Sequence, residues 1–478
     1  MKIFQFRYLS YACSFVVIVC NTIYMHVNAS AISRNIHKVA REDVQRSMNL
    51  IDNAMKYYFT PDSSTMYRFY NPYTMNRTDE KASVWMYTTA IESVNTVLKS
   101  LKHVKQQDIQ AIKKYEKLLE KLYDNADYYL GTFELTSFTQ TNTWSVYAVD
   151  RVNKKGEARV TGIYNVYDDQ MWLVRELLDS YYLIKNDKYL EKAEYLTAYV
   201  LDGWDATLDA NGNEHGGIPW GPGYVTKHAC SNGPMVSPLV WLHEIYKGKK
   251  DKITHNYIDT KDQKTRKSKL VAKENYYLDF AKKVYDWQKR NLLNTRGVYD
   301  DMMGDCTPDC SIVYEEINGV KYRAHTKLLK PIGRSYTYNA GTMLSGATDL
   351  YRVTKRKDYI EDAKKLALAS FTSFAKLDEQ VQNYYTFPYD GFSNWFNTVL
   401  LRGYMDYARV DKSANQYIKS FKNNLEYAHS KFLYNGLLPT DLLGGWNKDK
   451  SKNDIEGMFV FSFATQWALF DHMIQLKN

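Results

Sequence analysis

Four signatures are missing from the 478 residues: a Gly-x-x-x-x-Gly-Lys-Ser/Thr loop, a Gly-x-Gly-x-x-Gly fingerprint, a His-Glu-x-x-His pair and a Gly-x-Ser-x-Gly elbow. Their absence argues against P-loop and Rossmann nucleotide sites, a zincin centre and an α/β-hydrolase serine. No DNA- or RNA-binding signature accompanies the net charge of +9, so nucleic acid is not expected as a partner. Much of that charge sits in one run, Lys247-Gly-Lys-Lys-Asp-Lys followed by Lys261 to Lys273, which reads as a solvated loop. Beyond residue 29 no stretch is long and apolar enough to cross a bilayer. Cysteine is scarce, with five in the chain. Cys13 and Cys20 lie in the N-terminal apolar segment, which leaves Cys230, Cys306 and Cys310. A zinc site would need two more ligands at suitable spacing, and none is seen. No metal or cofactor is expected. Cys306-Thr-Pro-Asp-Cys310 has the spacing of a small disulfide loop in an oxidising compartment, with a free pair as the alternative.

What the chain does have is an export leader and many aromatic rings. Lys2 and Arg7 precede the mostly apolar 12–27, and Val27-Asn28-Ala29 offers a small-residue cleavage site. Residues 1–29 therefore read as a secretory signal, and 30–478 as the mature chain, secreted or in the cell envelope. A lipid anchor on Cys20 is the weaker alternative, because Val-Ile-Val is a poor lipobox. There are 42 Tyr, 19 Phe and 10 Trp. Many such rings belong to a core, but Tyr and Trp also suit sugars: the flat face packs on C–H groups while the phenol or indole donates a hydrogen bond.

Helical spacing dominates from residue 41. Helices are predicted at 41–58, 82–102, 107–130, 166–185, 188–204, 232–247, 274–291, 336–354, 357–376, 393–410, 413–432 and 456–474, with few and short strand signals. Short polar links, Lys185-Asn-Asp-Lys and Thr354-Lys-Arg-Lys, join two of the pairs as antiparallel hairpins require. Both precede one phrase, Lys188-Tyr-Leu-Glu-Lys-Ala-Glu and Asp358-Tyr-Ile-Glu-Asp-Ala-Lys, so the hairpins are degenerate repeats. About six such hairpins can close into an all-α (α/α)6 barrel, making 30–478 one domain. An open solenoid is the other architecture. Long Gly- and aromatic-rich connections at 131–165, 205–231 and 292–335 argue for the barrel, where they gather over one face.

Tyr164-Asn-Val-Tyr-Asp168-Asp169-Gln-Met-Trp172 stands where a loop becomes a helix. An N-cap aspartate followed by a second acid is the bland explanation. The surrounding Tyr164, Tyr167 and Trp172 favour a sugar site instead. Consecutive helical side chains diverge by about 100°, so the two acids address different sides of one bond. Glycoside cleavage needs that division: one carboxylate ionised and one proton held for the leaving oxygen. Close like charges push the two pKa values apart. The span Glu214 to Pro234, with five Gly and three Pro, is a shaped loop. In it, Gly216 and Gly217 are expected to admit a ligand to the backbone, Trp220 and Tyr224 to stack on sugar, and Lys227 and His228 to bind hydroxyls. Asn232 is expected either to cap the next helix or to touch ligand. Tyr338 and Asn339 open a further helix towards the cleft. Asp300-Asp301 rivals the first pair, but Gly304, Cys306 and Pro308 follow it, so it ranks as a subsite or structural pair, with Asp300 as the binding candidate.

Taken in order, Asp168-Asp169-Gln-Met-Trp172, Gly216-Gly217-x-x-Trp220, Lys227-x-Ala-x-Ser231-Asn232-Gly233, Gly297-x-x-Tyr-Asp300 and Tyr336-Thr-Tyr338-Asn339-x-Gly341 resemble glycoside hydrolase family 76 over roughly residues 45–475. That family contains endo-α-1,6-mannanases and their fungal cell-wall relatives. The resemblance implies an (α/α)6 barrel and retaining hydrolysis of α-1,6-mannoside links in a mannan polysaccharide, with Asp168 as nucleophile and Asp169 as acid/base. A monomer is expected. The sequence departs from the family at Leu173, where a second Trp is common, at His228, where Asn is common, and in the 248–272 insertion and the Cys306–Cys310 loop. Transglycosylation by the same residues, a non-catalytic mannan-binding surface protein and an unsaturated glucuronyl hydrolase are the alternatives.

Overall fold

Among the described residues, the twelve segments with helical apolar spacing become twelve helices, each within a few residues of its predicted bounds except the third, which stops earlier. In the computed structural model, which describes residues 38, 40–103 and 107–475, α1 covers 40–58. The rest are α2 (Val84–His103), α3 (Ile109–Ala126), α4 (Tyr167–Ile184), α5 (Asp187–Asp202), α6 (Val236–Tyr246), α7 (Lys273–Leu292), α8 (Thr337–Thr354), α9 (Lys357–Phe374), α10 (Ser393–Ala408), α11 (Asn415–Phe432) and α12 (Gly457–Gln475). The predicted export leader 1–29, with Cys13 and Cys20, lies outside the described residues.

Even- and odd-numbered helices differ in how they meet the core. In α8 every residue from Thr337 to Thr348 is buried, as expected of a helix covered on all sides. In α9 only Tyr359, Ala363, Leu366, Ala367, Ser370 and Phe374 are buried, a single stripe at helical spacing. The two hairpin links each turn on a lysine in the left-handed region, Lys185 and Lys355 at φ 60°. Each even helix packs on the next, α2 on α4, α4 on α6, α6 on α8, α8 on α10, α10 on α12, and α12 back on α2. Each odd helix from α3 to α11 packs on the even helix before it, and α1 is tied to α12 where Ser47 Oγ donates to the Ala464 carbonyl at 2.6 Å. α8 and α10 approach so closely that a Cβ on Gly341 would lie 2.4 Å from the Val399 carbonyl oxygen. Towards the C-terminal ends of the even helices, Lys99, Asp179, Glu244, Asp349, Asp406 and His472, one from each helix, line a common polar cavity of about 360 Å³. This helix-rich arrangement is compatible with an α/α toroid. Among the described residues, no helix is long and apolar enough to cross a membrane.

The connections hold more strand than expected. Leu130–Thr136 pairs antiparallel with Thr141–Tyr147, Leu130 opposite Tyr147. The Lys-rich run is a β-hairpin rather than a loop: Lys252–Ile258 pairs with Arg266–Ala272, Lys252 opposite Ala272. Its ladder satisfies backbone groups that the charge-rich composition gave no sign of pairing. Met302–Thr307 is the centre of a three-stranded sheet, between Lys327–Ile332 and Lys227–His228. The pairing of His228 with Met302 brings the 216–233 loop beside residues 300 and 301. Cys306 and Cys310 are joined by a disulfide, and Cys230 is free and buried.

Candidate active site

α4 starts without a side-chain cap, directly after extended Val166. Its first amide is used from outside: Tyr167 N donates to the Trp220 carbonyl at 2.8 Å. A Cβ on Gly221 would meet the Asn165 carbonyl oxygen at 2.4 Å, so the Gly-rich loop lies flush on the segment leading into α4. This contact sets Trp220 beside the first turn, which carries Asp168 and Asp169, where free amides and the helix dipole favour negative charge.

The two carboxyls have different surroundings. Asp169 is buried, 5% exposed. Burial first, then the charges of Asp168 and Asp150, push its pKa well above the ordinary carboxyl value. Asp168 is half-buried. Burial raises its pKa as well, to about 6, but the Cys230 thiol, the Trp220 indole and the first amides of α4 favour its charged form. Asp168 Oδ1 and Trp220 Nε1 are nonetheless buried polar atoms without a well-formed hydrogen bond. Within one turn, one acid holds its proton and its neighbour, with a free oxygen, gives its proton up more readily. This is the division of protonation that acid-assisted displacement at an acetal carbon requires.

Tyr224 and Tyr338 stand close to Asp168. Burial first, and then the charge of Asp168, raise the Tyr224 phenol. Tyr338, buried in the first turn of α8, is raised by burial and by Cys230, Asp301 and Asp168. Its ring packs 4.6 Å from Phe396. The Trp220 ring lies 4.7 Å from Tyr224 and is stacked on His228 at 4.9 Å and 16°. His228 is buried, which lowers its pKa to about 4, and its Nε2 pairs with Thr226 Oγ1 at 3.0 Å. It is a neutral ring backing Trp220, with its outer nitrogen already used. Tyr164 is half-buried under the Arg159 guanidinium, 4.1 Å from the ring centroid. Asn339 is fully buried with both amide atoms unpaired.

Several residues expected to bind sugar are engaged elsewhere. Trp172 is a core ring, edge-on to Trp395 at 4.8 Å. Lys227 is buried, its ammonium 2.8 Å from Asp205 Oδ2 and 2.5 Å from the Gly216 carbonyl oxygen. Asn232 neither caps a helix nor has a free amide. Its Oδ1 accepts from Ile218 N, and its Nδ2 donates to the carbonyls of Ile218 and His228. Gly216 and Gly217 admit rings rather than ligand: at φ 71° and 78°, their missing Cβ atoms would lie 2.8 Å from Trp204 and 2.3 Å from Trp287. Gly217→Ala therefore meets both a positive φ and the indole. It is expected to destabilise the fold by about 1–3 kcal/mol, read as a lower denaturant midpoint, and wild-type stability would contradict that account.

Residues 269–467 match one protein-family model. That model is glycosyl hydrolase family 76. The family 76 match bears out the resemblance read from the motifs. It contains Tyr338, Asn339 and the 300–301 pair, whereas Asp168 and Asp169 precede it. No curated protein matches the chain. Among solved structures, a family 76 mannosidase from Bacteroides thetaiotaomicron is 19% identical with TM-score 0.66, over 91% of this chain and 100% of its own. An inactive α-1,6-mannanase variant from Salegentibacter sp. HEL1_6, with two consecutive aspartates replaced by asparagine and α-1,6-mannotriose bound, is 17% identical with TM-score 0.58, over 90% and 99%. An unsaturated glucuronyl hydrolase specific for heparin is 13% identical with TM-score 0.53, over 92% and 98%. At these identities the likeness is one of fold.

Within the family 76 match, the second acidic pair resolves differently from expectation. Asp300 Oδ1 accepts from Asn294 Nδ2 at 2.7 Å and Ser335 Oγ at 3.1 Å, so it pins the start of α8. Asp301 is the residue near the site. Its charge acts on both Cys230 and Tyr338, and burial raises its own pKa to about 6 against the pull of Arg334. No periodicity separates the two acids in the sequence: residues 300 and 301 lie in an irregular turn before the strand that begins at Met302.

Proposed function

We propose that the chain is a retaining glycoside hydrolase that cleaves α-1,6-mannosidic bonds, with Asp168 as nucleophile and Asp169 as general acid/base. One observation carries the reading: two adjacent carboxyls in the first turn of α4, the deeper one holding its proton more tightly than its half-buried neighbour. Asp169 donates its proton to the leaving glycosidic oxygen while Asp168 forms a bond to the anomeric carbon. Water then gives a proton to Asp169 and its oxygen to that carbon, releasing Asp168. Trp220 and Tyr224 offer rings beside the reacting carbon, and the cyclic packing of the even helices supports an (α/α)6 barrel formed by 30–478 as one domain and acting as a monomer. The Salegentibacter enzyme, inactive without two consecutive aspartates and holding α-1,6-mannotriose, supports both the pair and the linkage. The Cys306–Cys310 disulfide and the leader sequence support export into an oxidising compartment.

The two pKa directions set a pH profile. Activity requires Asp168 ionised, so kcat/KM rises as pH climbs through about 6. It also requires Asp169 protonated, and kcat/KM falls once pH passes the higher value of that residue. A bell with its acid limb near pH 6 is expected on linear α-1,6-mannan. A profile that falls from pH 5 upward would overturn the assignment of roles.

A further inference from the structure

A second cavity lies on the outer wall, lined by none of the residues discussed above as catalytic or sugar-binding. It occupies about 270 Å³ between α5, α7, the 130–147 hairpin and the 252–272 hairpin. A groove of about 640 Å³ adjoins it along α7, and His255, Tyr276 and Phe280 line both. The 252–272 hairpin is a strap, anchored at its tip by Arg266, which donates to the Phe138 carbonyl at 3.1 Å and to Glu315 at 2.7 Å. At its base Lys273 pairs with Glu194 at 2.7 Å. Between these anchors the strap leaves a pocket open to the surface rather than a packed interface. Dry voids are apolar, so a polar space of this size holds solvent or ligand.

The lining is chemically selective. Trp204 and Tyr276 cluster around Phe280, with ring centroids 6.1 and 4.8 Å away. Among these rings sit acceptors and amides already fixed by neighbours. Asp202 Oδ1 accepts from Ser137 and Gln140, both at 2.9 Å. Glu214 accepts from Trp204 Nε1 at 2.8 Å and from Lys283 Nζ at 2.9 Å. Asn256 Nδ2 donates to Gln140 Oε1 at 2.7 Å. Asp202 Oδ2 and Trp144 Nε1 are buried and face each other without a well-formed hydrogen bond, and Trp144 is only 5% exposed. Flat rings with oriented carboxylates and amides suit C–H faces and hydroxyls together. The lining acids disfavour a phosphate or sulfate.

We propose that this cavity is a second carbohydrate site, which holds pyranose residues of a neutral polysaccharide away from Asp168 and Asp169. The proposal goes beyond the mannanase reading and does not depend on which linkage the enzyme cuts. The test uses the full chain in affinity electrophoresis with linear α-1,6-mannan, a β-glucan and a xylan, the Asp169→Asn background preventing turnover. Tyr276→Ala removes a ring, and Ala198→Trp, on α5, fills the space without removing any contact. On at least one polysaccharide each variant is expected to weaken retardation about two- to tenfold, while cleavage of a short manno-oligosaccharide by the otherwise unaltered chain stays at the parent rate. Should Tyr276→Ala fail to fold, Ala198→Trp carries the test. Parent-level retardation of both variants on all three polysaccharides would overturn the proposal, as would no retardation of the parent by any of the three. Loss of retardation in a chain that never cleaves mannan would sustain the second site and sink the mannanase reading. Normal cleavage with unchanged retardation would do the reverse.

Discussion

Asp168→Asn is expected to lower kcat on α-1,6-mannan by roughly 10³–10⁶-fold, the range seen when a nucleophile is lost. Asp169→Asn is expected to cost roughly 10²–10⁴-fold, the usual worth of general acid–base catalysis. The two losses carry different signatures. An aryl α-mannoside with an acidic phenol needs no proton on its leaving oxygen, so Asp169→Asn should still cleave its first bond quickly and then stall, whereas Asp168→Asn should cleave neither substrate. Asp169→Asn should also lose the alkaline limb of the pH profile. Neither variant should be less stable. Both carboxyls bind their protons more tightly folded than unfolded. The stability they contribute is therefore full below the unfolded value of about 3.9 and is lost as pH rises through the folded values. At neutral pH a neutral asparagine removes that cost. Melting curves equal to or above the parent, beside an activity near zero, are the expected combination; full activity in either variant would remove the pair from the mechanism.

Lys227→Met is expected to act on the fold and not on sugar affinity. The Lys227 and Asp205 side chains are 6% and 1% exposed and 2.8 Å apart. Burial alone would raise the Asp205 carboxyl, but Lys227 and His325 hold it well below its ordinary value. His325 Nδ1 reaches the same oxygen at 2.8 Å. Removing the ammonium leaves Asp205 charged and buried beside a half-buried imidazole, which costs about 3–5 kcal/mol for a broken buried pair. It also frees the Gly216 carbonyl at the base of the loop that carries Trp220. The denaturant midpoint should fall clearly, while KM for manno-oligosaccharides, measured where the variant is still folded, should change little. A raised KM at unchanged stability would restore Lys227 as a sugar ligand.

The helical frame was legible because its signal is local. The stripe beginning at Tyr359 and the polar links at Lys185 and Lys355 depend on neighbours a few residues away, and each survived into the fold. The strands were not legible for the opposite reason. Lys252–Ile258 gains its ladder from Arg266–Ala272 and its anchor from Phe138 and Glu315, and none of those partners is visible in a run of lysines. The site divides along the same line. The Asp168–Asp169 pair at a helix start could be read from spacing alone. The use of Lys227 could not, because its partner lies 22 residues earlier in a different turn of the chain. Gly216 and Gly217 show a subtler failure: the sequence announces that something approaches the backbone, and only packing reveals that it is Trp204 and Trp287.

The pair at the start of α4 is tested most directly by the stereochemistry of its first product. Linear α-1,6-mannan incubated with the full chain, followed by proton NMR from the first minutes, should show the α-anomer of the new reducing end before mutarotation, and Asp168→Asn under the same conditions should show no new reducing end. A β-anomer appearing first, or equal product from Asp168→Asn, would contradict the account.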